Sequence, residues 1–171
     1  RTNKTFTLDD GNLSSFNLFR HELFHAIQHQ LVIGADMTKY GIDNGVPQPG
    51  YINIEFEQVV NNDLIKYINE KKTSKETGNG FARPENENYR IDLIEYTNFI
   101  DSLGSKLLDK TGQFNAIQIT DEFDKKYFHL MEKFKIHQSA NSYGKSEILR
   151  NLKPLTLKYL YNGQPLCPPN K

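Results

Sequence analysis

The chain has 171 residues, 37% of them hydrophobic and 25% charged, and its 21 Lys and Arg balance its 21 Asp and Glu. That length suits one domain, 1–171, with a real core. The charge balance gives no reason to expect nucleic acid or an anionic membrane as a partner, and no apolar run approaches the roughly 20 residues of a membrane span. The single Cys167 sits in a Pro-rich tail and has no partner for an internal disulfide, so any metal site must draw on His and carboxylates. A soluble protein is expected. The chain begins at Arg1 without Met, which keeps an exported form with its leader removed among the options. The compartment and oligomeric state stay undetermined.

Taken in order, Thr5-Phe6-Thr7-Leu8 alternates weakly and turns at Asp10-Gly11, which predicts a short strand. A helix follows, capped by Ser14 or Ser15, free of Gly and Pro through Ile33 and ended by Gly34. Its apolar positions are Leu18, Phe19, Leu23, Phe24, Ala26, Ile27 and Leu31. Residues 34–53, rich in Gly, Pro, Asn and Asp, predict a long irregular loop. Ile54 to about Lys71 reads as a second amphipathic helix with Phe56, Val60, Leu64, Tyr67 and Ile68 on one stripe. Residues 72–88 read as a solvated excursion, and Tyr89–Leu103 as a third helix ended by Gly104. Residues 114–119 could be extended. Thr120-Asp121-Glu122 starts a helix over Phe123–Ile136, residues 141–144 break the chain, and a last helix over Glu147–Tyr161 is interrupted at Pro154.

The chemistry is concentrated in the first helix, in Arg20-His21-Glu22-Leu23-Phe24-His25-Ala26-Ile27-Gln28-His29. Residues four apart lie one turn apart on the same helix face, so His21 and His25 can aim both imidazoles at one metal ion. Glu22, next round the helix, can reach a water at that metal. Zinc held by three protein groups keeps a fourth position for water and lowers its pKa to about 7. A neighbouring carboxylate then serves as general base. The bland alternative is an amphipathic helix whose histidines happen to share its polar side.

Two histidines need a third ligand. His29 continues the four-residue series, but at 1.5 Å per residue it stands about 12 Å along the axis from His21, and one straight helix cannot bring all three within about 2 Å of one ion. A substrate-side or surface role suits it better. The second helix offers Glu55 and Glu57, each about 100° from Phe56 on opposite sides of the apolar stripe, and helical geometry does not choose between them. Acidic residues are favoured at a helix start in any case. Asp36 and Asp43 in the loop are further options.

His21-Glu22-Leu23-Phe24-His25, followed about thirty residues later by a helix opening Glu55-Phe56-Glu57, resembles a zincin metallopeptidase of the gluzincin type. The likeness spans roughly residues 15–65. It implies one zinc per chain, held by two histidines of the first helix and a glutamate of the second. The usual second motif is Glu-x-x-Ala-Asp with its first Glu as ligand. Laid on this sequence it selects Glu55, with Glu57 as the alternative, and Gln58 and Val59 stand where Ala and Asp would be. A related pattern with Gly and His at three and six residues after the second histidine is excluded by Gln28 and Leu31.

The resemblance implies a mainly α (α+β) zincin-like domain with a minimal or truncated β-sheet, its zinc-helix core at about 15–70 and a helical C-terminal part at about 88–162. The expected reaction is hydrolysis of a peptide or protein substrate by zinc-activated water, with Glu22 as base. His129, His137, Tyr143, Tyr40 and Tyr51 are candidates to stabilise the oxyanion. Such domains carry a small sheet before the zinc helix, for which only about 13 residues are present here. The rival expectation is a catalytically inactive zincin-like binding or regulatory module. A third is hydrolysis of a non-peptide bond by the same water.

Overall fold

The computed structural model describes residues 16–30, 40–73, 77–81, 87–107 and 115–161. The expected strand at residues 5–8, both candidate caps of the first helix, Leu31, Gly34, Asp36 and Cys167 lie outside them.

The architecture is mainly α, with a minimal two-stranded sheet. In chain order it comprises α1 (Phe16–Gln28), β1 (Ile42–Asp43), β2 (Val46–Pro47), α2 (Tyr51–Glu70), α3 (Glu87–Leu107), α4 (Asp121–His137) and α5 (Leu155–Leu160). The strands form an antiparallel hairpin in the stretch expected to be irregular, with Ile42 opposite Pro47 and Asp43 opposite Val46. Asn44 and Gly45 at its tip both have positive φ, the two-residue turn that suits a hairpin.

Helix α2 is the centre of the molecule. Ile52, Phe56, Val60 and Leu64 are fully or almost fully buried, and Phe56 meets Tyr127 and Phe134 of α4 and Tyr96 of α3 at ring-centroid distances of 5.0, 5.3 and 6.2 Å. The apolar stripe is therefore as expected at its first three positions. The polar side is not solvated, however: Asn53, Glu55, Glu57, Gln58, Asn61 and Asp63 are buried as well. A helix buried all round with polar residues must find partners for them. Most find them in α1 and in the C-terminal segment, and Asp63 accepts from the Gly78 backbone and the Tyr96 hydroxyl.

Helix α1 runs antiparallel to α2. Arg20 donates to Asn62 Oδ1 at 2.7 Å, and Gln28, two turns later, donates to the Ile54 carbonyl at 3.1 Å, two turns earlier on α2. Phe24, His25 and Gln28 form the buried side of α1, whereas Leu23, expected on the apolar stripe, is exposed. On the other side, Asn53 accepts from the Leu149 backbone at 3.0 Å and donates to the Leu149 and Leu152 carbonyls, while Asn61 accepts from Tyr161.

Four features differ from the sequence reading. Helix α2 starts at Tyr51 rather than Ile54, because its cap is distant in sequence: Gly50 makes no side-chain cap, and Ser146 Oγ accepts from the Ile52 backbone at 2.8 Å. Helix α3 runs through Gly104 instead of stopping there. The expected excursion contributes Phe81, fully buried and stacked on Tyr96 at 4.4 Å, on a turn held by Asp63, which accepts from the Gly78 backbone at 3.0 Å. The last helix begins only after Pro154, so that Ser146–Pro154 is irregular apart from turns. Thr120 caps α4 as its sequence suggests, accepting from Phe123 at 3.1 Å.

Candidate metal centre

The pairing of α1 with the first turns of α2 brings three metal-ligating side chains to one point. His21 and His25 project from successive turns of α1, with their Nε2 atoms 2.9 Å apart and their rings edge to face. Glu55, in the second turn of α2, sends one carboxylate oxygen to 3.5 Å from His25 Nε2 and the other to 3.8 Å from His21 Nε2. Ligand atoms about 2 Å from one tetrahedral ion stand about 3.3 Å from each other. The two Nε2 atoms at 2.9 Å and the Glu55 oxygen at 3.5 Å from His25 lie on either side of that value, and one ligand atom from each residue falls within 4.8 Å of the others. Two imidazole nitrogens and a carboxylate oxygen are also a donor set that suits zinc. The residues fit the metal, and they are the one such cluster among the described residues.

Each ring has a glutamine partner. His25 Nδ1 lies 2.7 Å from Gln28 Oε1, and His21 is hydrogen-bonded to Gln58. Burial pushes the His25 imidazolium down to about 4, which leaves the ring neutral near neutral pH. Burial also lowers His21, opposed by the nearby Glu22 carboxylate and the Gln58 bond. Glu55 moves the other way: burial, and then the charge of Glu22, raise its carboxyl to about 7, against a hydrogen bond from Tyr51. A buried carboxyl with no cation among these neighbours is costly to ionise. A bound divalent cation would supply the missing charge.

Glu22 is half-buried beside this group, close enough for its charge to reach His21, Glu55 and Tyr51. Glu57, the alternative third ligand, turns elsewhere. One of its oxygens accepts from Gln28 Nε2 at 2.8 Å and the other from the Leu157 backbone at 2.9 Å. His29 is not part of the cluster. Asp43 is exposed on β1.

The five oxyanion candidates separate in space. His129 is exposed and faces Glu95 at 3.2 Å, and His137, buried at the end of α4, faces Asp92 at 3.0 Å. Tyr40 packs against Gly50 at the start of α2. Tyr51 and Tyr143 meet ring edge to face at 5.8 Å, and both feel the charge of Glu55. Burial and then Glu55 push the Tyr51 phenol up to about 12, so it keeps its proton and donates.

Sequence reasoning missed the two glutamines. Gln28 was read only as a departure from another motif and Gln58 only as a mismatch in the second one. A signal for Gln28 was available: it lies three residues beyond His25, on the same helix face. No family model, curated protein or solved structure matches the chain.

Proposed function

We propose that this protein is a zinc-dependent metallopeptidase of the gluzincin kind, with His21, His25 and Glu55 as the zinc ligands and Glu22 as general base. The convergence of two Nε2 atoms and one carboxylate from two antiparallel helices carries the reading. Three ligands suit a catalytic zinc, whereas structural zinc takes four. When bound, the ion would supply Lewis acidity, polarising the scissile carbonyl and lowering the pKa of a water.

The chain's own residues would do the rest. Glu22 adjoins His21 in sequence, is half-buried and is close enough for its charge to reach His21 and Glu55, so its carboxylate would take a proton from water and return it to the leaving amine. His25, neutral near neutral pH, offers a lone pair rather than a charge. Tyr143 and Tyr51 keep their phenolic protons and can donate to the oxyanion that forms when water attacks an amide.

The experiment is to measure zinc content and peptide hydrolysis on the wild type and Glu22→Gln side by side. The expected wild type holds one zinc per chain and cleaves a mixed peptide library. The variant should keep its zinc and lose turnover by roughly a thousandfold or more, the combined loss of a base and its electrostatic effect. Full turnover in Glu22→Gln would end the mechanism, and a wild type that takes up no zinc would leave the inactive-module reading in its place.

A further inference from the structure

Behind His25, on the Nδ1 side of its ring, a chain of buried polar groups crosses three elements. It starts in α5, where the Leu157 backbone N–H donates to Glu57 Oε1 at 2.9 Å. Glu57 Oε2 accepts from Gln28 Nε2 at 2.8 Å, and the same amide nitrogen donates to the Ile54 carbonyl at 3.1 Å. Gln28 Oε1 then lies 2.7 Å from His25 Nδ1. Glu57 and Gln28 are 5% and 1% exposed, which keeps these bonds away from bulk solvent.

The polarity of the chain follows from its acceptors. The Ile54 backbone carbonyl can only accept, so the NH2 end of Gln28 must face it, and the same nitrogen donates to Glu57. That leaves the amide oxygen toward His25. An amide oxygen also only accepts, so the bond requires the proton on His25 Nδ1. The lone pair of the neutral ring is then on Nε2, the atom that faces His21 and Glu55. Were the purpose only to cross-link helices, either amide orientation and either tautomer would serve. Here the buried groups permit one of each.

We propose that Gln28 and Glu57 are positioning residues of the metal centre: a relay from α5 through α2 to α1 that fixes His25 as its Nδ1–H tautomer with Nε2 aimed at the ion. The inference deepens the zinc reading and rests on it for its purpose, but the tautomer itself is a property of the metal-free protein. Outer partners of metal-bound histidines orient the ring and raise its basicity, and their loss typically costs about 10- to 100-fold in metal affinity.

The test has two readouts. Long-range proton–nitrogen NMR of metal-free wild type should show His25 protonated on Nδ1, a result independent of any variant. Zinc affinity, by competition with a chromophoric chelator, should then fall about 10- to 100-fold in Gln28→Leu. The exchanged pair Gln28→Glu with Glu57→Gln supplies a rescue. Glu at 28 can still accept from His25 and from the new amide at 57, whose oxygen can accept from Leu157, but it no longer donates to the Ile54 carbonyl, so the tautomer should return to that of wild type and the affinity only part of the way.

A wild-type His25 protonated on Nε2 overturns the relay. So does a folded Gln28→Leu that binds zinc as tightly as wild type. If Gln28→Leu does not fold, the wild-type tautomer and the exchanged pair decide. If the wild type binds no zinc, the zinc reading fails, and the tautomer still upholds or overturns the relay.

Discussion

Two tyrosines stand near the candidate site, and their hydroxyls are differently engaged. The Tyr51 hydroxyl is hydrogen-bonded to Glu55, so diverting it toward substrate would strip a partner from a buried carboxyl. The Tyr143 hydroxyl donates to Gln138 Oε1 at 2.9 Å, on a part-exposed side chain that water can satisfy instead. Tyr143 is therefore the better candidate for an oxyanion donor in the proposed reaction. Tyr143→Phe should leave zinc content and fold unchanged and lower kcat by roughly a hundredfold, the usual loss for one such donor. Tyr51→Phe should instead disturb zinc affinity through Glu55. Turnover and metal content measured on both variants check this, and an unchanged kcat in Tyr143→Phe assigns the donor elsewhere. From the sequence these tyrosines could not be ranked, because 92 residues separate them and only the fold makes them neighbours. The spacing of His21 and His25 was legible, since one turn of helix is a local property. The choice between Glu55 and Glu57 was open to helical geometry, and packing of α2 sends them to different partners.

At the scale of elements, signals written within one turn were readable, whereas those supplied from afar were not. Thr120 caps α4 from three residues away, and that start was predicted to within two residues. Ser146 caps α2 from 94 residues away, and that start was missed by three. Gly104 shows the opposite error. It reads as a helix stop, yet it lies inside α3 because Tyr67 of α2 occupies the space of a side chain: a Cβ there would stand 2.3 Å from the Tyr67 ring. An exposed helical Gly→Ala normally stabilises by about 0.5–1 kcal/mol. Gly104→Ala should instead destabilise by about 1–3 kcal/mol, because the ring must move within packed surroundings. In a Tyr67→Ala background the sign should revert to stabilising. Urea unfolding of the four proteins of this cycle measures it, and a stabilising Gly104→Ala in the wild-type background would refute the close-packing account.

For the whole molecule, the helical class was legible from periodicity, whereas the burial of α2 on all sides was not. A single stripe of Phe56, Val60 and Leu64 marks one contact face, and nothing local announces that α1 and the C-terminal segment cover the other. Charge distribution carries a consequence at the same scale. Asp92 of α3 is tied to α4 by Lys133 at 2.9 Å and by His137, whose Nε2 donates at 3.0 Å. Burial works to raise its carboxyl, but the bonds and charges of these two groups outweigh that and hold it below its ordinary 3.8. A carboxyl lowered in the folded state binds its proton more weakly there than in the unfolded chain. Its contribution to stability is thus present above about 3.8 and is lost as pH falls through the lower folded value. Asp63, buried on α2 against Tyr96, is shifted the other way, and its contribution fades as pH rises through its raised value. Asp92→Asn should therefore cost about 1–2 kcal/mol at neutral pH, the worth of hydrogen bonds to a charged group. The cost should begin to shrink as pH falls below 3.8 and should vanish only below the lower folded value, where the wild-type carboxyl is itself protonated. Urea midpoints at neutral pH and near pH 3 compare the two directly, and an equal deficit at both would mean that Asp92 acts through shape rather than charge.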